Sequence, residues 1–129
     1  IKNTRLLNVL NDIKKQNNKK NELFIYQNNL INAQDVNNYL KRFGNFSTKY
    51  FRTWTANIEY INGINNVYTD NFKKLSRDVI KDIAFKLNHT VAICKKNYIY
   101  PELIDYSLKN SISTSNSHKF LINFLKKRC

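Results

Sequence analysis

The chain has 129 residues, of which 42% are apolar and 13% aromatic, and this excludes a disordered or low-complexity chain. Lys and Arg number 22 against 9 Asp and Glu, a net charge of +13 that draws polyanions, nucleic acid first and an anionic membrane surface second. Cys94 and Cys129 stand without Cys-x-x-Cys or Cys/His spacing, which excludes a disulfide framework and a zinc site, and no apolar run nears the ~20 residues of a membrane span.

At this length the expectation is one compact domain, residues 1–129, able to bury roughly two thirds of its unfolded surface. With 2 Gly and 1 Pro, tight turns are scarce, so the expected fold class is mainly α. Cys94 reads as a small apolar residue in a buried position. No signal peptide is visible at Ile1, so the expected compartment is intracellular and reducing.

In chain order, Leu6, Leu7, Val9, Leu10 and Ile13 form a helical stripe, followed by a polar stretch, Lys14–Lys20, that reads as a loop. Leu23–Tyr26 is a short strand or extended run. A helix is expected over Ala33–Phe43, capped by Asn32, favoured by Asp35 in its first turn and ended by Gly44. Ser47 or Thr48 can cap the next, whose inward stripe is Phe51, Trp54, Ile58 and Ile61. Arg52 lies off that stripe with Thr55, Ala56 and Glu59, and Gly63 with Asn65–Asn66 is expected to break the helix.

Thr69 or Asp70 starts the longest periodic segment, with Phe72, Leu75, Val79, Ile83 and Leu87 inward and Lys74, Arg77 and Lys81 on a basic row. Thr90 caps a short helix through about Asn97, and Pro101 opens another over Pro101–Lys109. A Ser/Asn-rich link, Ser111–Ser117, leads to a basic amphipathic helix around Phe120, Leu121, Phe124 and Leu125.

Two blocks stand out. One is Lys49-Tyr50-Phe51-Arg52-Thr53-Trp54. The other runs Leu87-Asn88-His89-Thr90, then Val91 to Asn97, then Tyr98-Ile99-Tyr100-Pro101-Glu102. A lone histidine or tyrosine means little, but several matched residues in each of two ordered blocks are specific. Here the chain resembles the type IB DNA topoisomerases, especially their small poxvirus-like and bacterial forms. Their catalytic domains carry a KDFRTW-like helix start and an LGHTPAVxxxxYIxPE-like segment. Weaker similarity runs from about Thr4 through Glu22-Leu23-Phe24 and Val36–Gly44. Position 88 is Asn where the family usually has Gly, and position 91 is Val where Pro is common. Asn tolerates the left-handed backbone better than most residues.

The resemblance implies the C-terminal, helical part of a DNA breaking-rejoining core shared with tyrosine recombinases. It implies Tyr98 as the nucleophile that forms a 3′-phosphotyrosyl link, with Arg52 and His89 donating hydrogen bonds to the nonbridging phosphate oxygens. Those residue types suit the chemistry. An attacked phosphodiester concentrates negative charge on those oxygens, arginine offers a planar fork, and imidazole adds a further N–H. A phenol is a weak acid, so a cationic pocket must help it lose its proton. One strand is cut and resealed without ATP, and neither a metal nor a cofactor is expected.

Double-stranded DNA is the expected partner, contacted by Lys49, Lys74, Arg77, Lys81, Lys95 and Lys96. A monomer located with DNA, in a nucleoid, a nucleus or a viral factory, is expected. The family also uses an earlier Arg and a hairpin Lys that belong upstream of the matched region, so the chain reads as a fragment of a longer enzyme, inactive alone. The alternatives are a tyrosine recombinase, which usually carries His where Lys49 stands, and a non-cleaving DNA-binding module. A membrane-surface helix at Phe120–Arg128 explains only the tail.

Overall fold

The computed structural model describes residues 3–16 and 22–127. Its contacts divide the chain into two compact units, 1–47 and 48–129. Both are mainly helical, as the scarcity of glycine and proline implies.

In the first unit, helix α1 spans Thr4–Gln16, and the Asn3 side chain accepts a hydrogen bond from the Leu6 amide at 3.0 Å. Lys14 and Lys15 extend the helix where a loop is expected. Cations in a last turn face its free carbonyls, which favours the extension. Residues 17–20 of that expected loop lie outside the described residues. Strands β1 (Ile25–Tyr26) and β2 (Asn29–Leu30) pair antiparallel, Ile25 with Leu30 and Tyr26 with Asn29. Gln27 (φ 46°) and Asn28 (φ 65°) both take the left-handed backbone that a two-residue hairpin of this hand requires. This second strand is not readable from the apolar run alone.

Helix α2 (Ala33–Leu40) has the expected cap: Asn32 Oδ1 accepts from the Gln34 and Asp35 amides, and the Asp35 carboxylate accepts from the Asn32 amide. It tightens into a 3₁₀ turn, Lys41–Phe43, and Gly44 ends it at φ 142°. No described residue of this unit is fully buried.

The second unit holds the core. Its helices are α3 (Thr48–Ile64), α4 (Phe72–Lys86), α5 (Val91–Asn97), α6 (Pro101–Lys109) and α7 (Ser117–Lys126). Burial along α3 starts at Ala56 and includes Asn57, Ile58, Tyr60, Ile61 and Ile64. Phe51, expected inward, is 58% exposed, because the first turn of α3 lies beyond the part of the helix that the core covers.

Gly63 does not break α3. It sits inside the helix where a Cβ would lie 2.7 Å from Val79 Cγ1, so its missing side chain lets α3 and α4 approach. Helix α4 starts later than expected, capped by Asn71, whose side chain accepts from the Lys74 amide at 3.0 Å. Ile80, Ile83 and Ala84 are its buried apolar residues, while Phe72, Leu75, Val79 and Leu87 pack half-buried on the core.

Tyr60 Oη sits between Ser76 Oγ (2.8 Å) and Ser107 Oγ (2.9 Å), which joins α3, α4 and α6 through a buried polar bridge. Helix α6 has the expected bounds with Pro101 in its first turn. In α7 Leu121 is fully buried, and Phe120, Phe124 and Leu125 pack half-buried against the core. Arg128 and Cys129 lie outside the described residues. Among the described residues no helix is long and apolar enough to cross a membrane.

Candidate active site

Helix α3 carries the first site residue. Arg52 lies in its exposed second turn, and Glu59, two turns on along the same line, pairs with Lys86 near the end of α4. The shared apolar core packs α4 back alongside α3, so the segment after Lys86 arrives beside Arg52.

Helix α4 then stops with full backbone hydrogen bonding. Asn88 is left-handed (φ 56°), its amide donates to Phe85 O at 3.1 Å, and the His89 amide donates to Ala84 O at 2.9 Å. This pair of bonds caps the helix and reverses the chain, which aims His89 back at α3. Arg52 Nη1 stands 2.7 Å from His89 Nε2. Since guanidinium can only donate, Nε2 is the acceptor in this contact.

Thr90 caps α5, its hydroxyl accepting from the Ile93 amide at 3.3 Å. Cys94, fully buried, anchors this short helix, and burial pushes its thiol upward, so it remains neutral in the fold. Tyr98 comes after the last turn of α5 as its C-cap, with its amide bonded to Cys94 O at 3.0 Å. Its ring stacks on His89, with centroids 5.1 Å apart and planes at 19°. The fold therefore brings Arg52, His89 and Tyr98 into one cluster from three separate elements.

A fourth residue belongs to this cluster and carries no motif. Asn57 is fully buried. Its Nδ2 donates to Thr53 O (2.7 Å) and Tyr98 O (2.8 Å), and its Oδ1 accepts from the Tyr100 amide (2.9 Å). In sequence no signal separated Asn57 from the chain's other asparagines; its burial appears only in the fold.

The six cations expected at DNA are all exposed, and none has an ion-pair partner among the described residues. Arg77 and Lys95 line a groove of about 270 Å³ with Lys73, floored by Ile80, Val91 and Ile104. Lys95 and Lys96 border a second groove with Pro101 and Asp105. Lys74 and Lys81 line neither groove, and at spacings of three and four residues they share a face of α4 with Arg77. Lys49 lies on α3, one turn before Arg52. No group of three or more His, Cys, Asp or Glu is placed to hold a metal among the described residues.

Comparison with protein families finds the eukaryotic DNA topoisomerase I catalytic core, matched over residues 2–122. No curated protein and no solved structure matches the chain.

Proposed function

We propose a function on the premise that this chain belongs to the eukaryotic DNA topoisomerase I catalytic-core family, a family of DNA-acting isomerases. The chain supplies the nucleophile and two phosphate donors of a type IB reaction. Tyr98 Oη attacks a backbone phosphorus, the bond from phosphorus to the 5′ oxygen breaks, and that oxygen leaves with a proton. The 3′ phosphate is then esterified to Tyr98. One phosphodiester has replaced another, so the reverse attack by the 5′ hydroxyl reseals the strand without ATP.

The observation that carries this reading is the contact of Arg52 with His89 over the ring of Tyr98. Arg52 Nη1 and His89 Nε2, 2.7 Å apart beside a phenol, are each within reach of an oxygen of one phosphate seated there. With DNA bound, the exposed Arg52 fork turns from His89 to a nonbridging oxygen, and His89 presents an N–H to the same group. Lys49, Lys74, Arg77, Lys81, Lys95 and Lys96 contact the duplex backbone.

Both units belong to one catalytic domain in this reading, the C-terminal portion of a longer enzyme acting as a monomer where DNA is found. An Arg and a Lys from the upstream part complete the site, the Lys protonating the leaving oxygen. The two sequence blocks favour the small poxvirus-like or bacterial form. Lys49 and Thr53-Trp54 around Arg52 favour topoisomerase over recombinase.

The test uses the enzyme that carries this chain and an end-labelled duplex, quenched in denaturant, with the phosphotyrosyl peptide mapped by mass. The adduct is expected on Tyr98. Tyr98→Phe, which removes only the attacking oxygen, is expected to bind DNA normally and form no adduct. Adduct on Tyr100 or Tyr106, or adduct surviving in Tyr98→Phe, overturns the assignment.

A further inference from the structure

We infer that Asn57 is a positioning residue that fixes the attacking tyrosine relative to the helix bearing Arg52; this rests on the function proposed for the Tyr98 site. The three hydrogen bonds it makes do three different things. The bond to Thr53 O ties the amide to its own helix, one residue past Arg52. The bond to Tyr98 O holds the carbonyl of the nucleophile, and the bond from the Tyr100 amide holds the chain two residues later. Tyr98 is thus gripped on its C-terminal side from one buried point, between the end of α5 and Pro101 of α6.

Only a carboxamide meets this demand at that size, with two N–H donors for two carbonyls and one acceptor for an amide. The site is closed to water, so an unmade bond there has no replacement. Tyr98 needs such a grip. As a C-cap at φ −124° it lies outside the regular helix, and no helical hydrogen-bond ladder continues past it until α6 begins. The stack on His89 fixes the ring, whereas Asn57 fixes the backbone from which the ring projects. In-line attack depends on both.

Two measurements test this. On the 129-residue chain, through-hydrogen-bond scalar couplings should connect the Asn57 carboxamide nitrogen to the Tyr98 carbonyl, and the Tyr100 amide should exchange slowly. This needs no variant; absence of the coupling together with fast exchange overturns the clamp. In the enzyme that carries this chain, Asn57→Ala should lower the single-turnover adduct rate about 10²-fold while DNA affinity changes less than about twofold.

Asn57→Asp separates positioning from folding. One carboxylate oxygen keeps the acceptor for Tyr100, but the other, in place of Nδ2, turns lone pairs toward the two carbonyls. Adduct formation relative to the parent should therefore fall at neutral pH and recover as pH drops and the carboxyl regains a donor proton. Recovery of the rate without a change in the folded fraction, read by circular dichroism on the same samples, marks positioning, and a flat ratio across pH overturns the inference. A parent enzyme that forms no adduct, with the Asn57–Tyr98 coupling present, overturns the proposed function and leaves the clamp standing.

Discussion

Arg52, His89 and Tyr98 are the three residues on which the proposed chemistry rests, and their roles predict different failures. Arg52→Ala and His89→Ala each remove one donor and leave the nucleophile, so adduct still forms, slower by about 10²–10³-fold. Rapid-quench kinetics on a labelled duplex measure this; a variant as fast as the parent removes that residue from the mechanism. Cys94 makes a separate, pH-dependent prediction. Its thiol titrates above its ordinary value of 9.0 in the fold because burial disfavours the thiolate. The contribution is complete below that ordinary value. It is lost as pH rises through it toward the raised folded value, because the unfolded thiol ionises first. Urea titrations across pH 8 to 10 should show a shallower alkaline loss for Cys94→Ala than for the parent, and equal slopes would contradict this.

The elements show where local patterning was sufficient. The bounds of α5 and α6 and the cap of α2 follow from Thr90, Pro101 and the Asn32/Asp35 pair, since each acts within one helical turn. Asn88 was legible as a left-handed position for the same reason. Gly63 was not. Its role is contact with Val79, sixteen residues away, and a glycine that admits a neighbouring helix looks in sequence like one that ends its own. Gly63→Ala should destabilise the chain by about 1 kcal/mol, the cost of overpacking less the gain in helix propensity. Made in a Val79→Ala background, the same change should become neutral or stabilising, and a double-mutant cycle by denaturant unfolding measures the coupling. No coupling would mean the two side chains do not compete for that space.

At the scale of the whole molecule, the charge of +13 is the dominant property, and it belongs to a protein whose family acts on DNA. If six cations each displace a phosphate counterion, the logarithm of affinity should fall against the logarithm of salt with a slope near −5. Lys95→Ala with Lys96→Ala should reduce that slope by about 2 units, near-equally on unrelated duplexes. Fluorescence anisotropy across a salt series reads both. A slope unchanged by the double variant removes these lysines from the interface.

Sequence alone determined the helical class and the family resemblance, and it singled out the three residues proposed for the site. Those depend on residue identity and on spacing within a turn or two, which a linear chain displays directly. Only the tertiary structure decided that Arg52 meets His89, 37 residues away, and that Tyr98 stacks on the same ring. It also decided that Phe51 lies outside the core. Asn57 is the clearest case. Nothing in its identity separates it from the many other asparagines of the chain; its partners at Tyr98 and Tyr100 exist only once α3 has packed beneath the α5–α6 junction. Periodicity reports which face of a helix is apolar, but which segment covers that face, and which polar group is sealed beneath it, is settled only by packing.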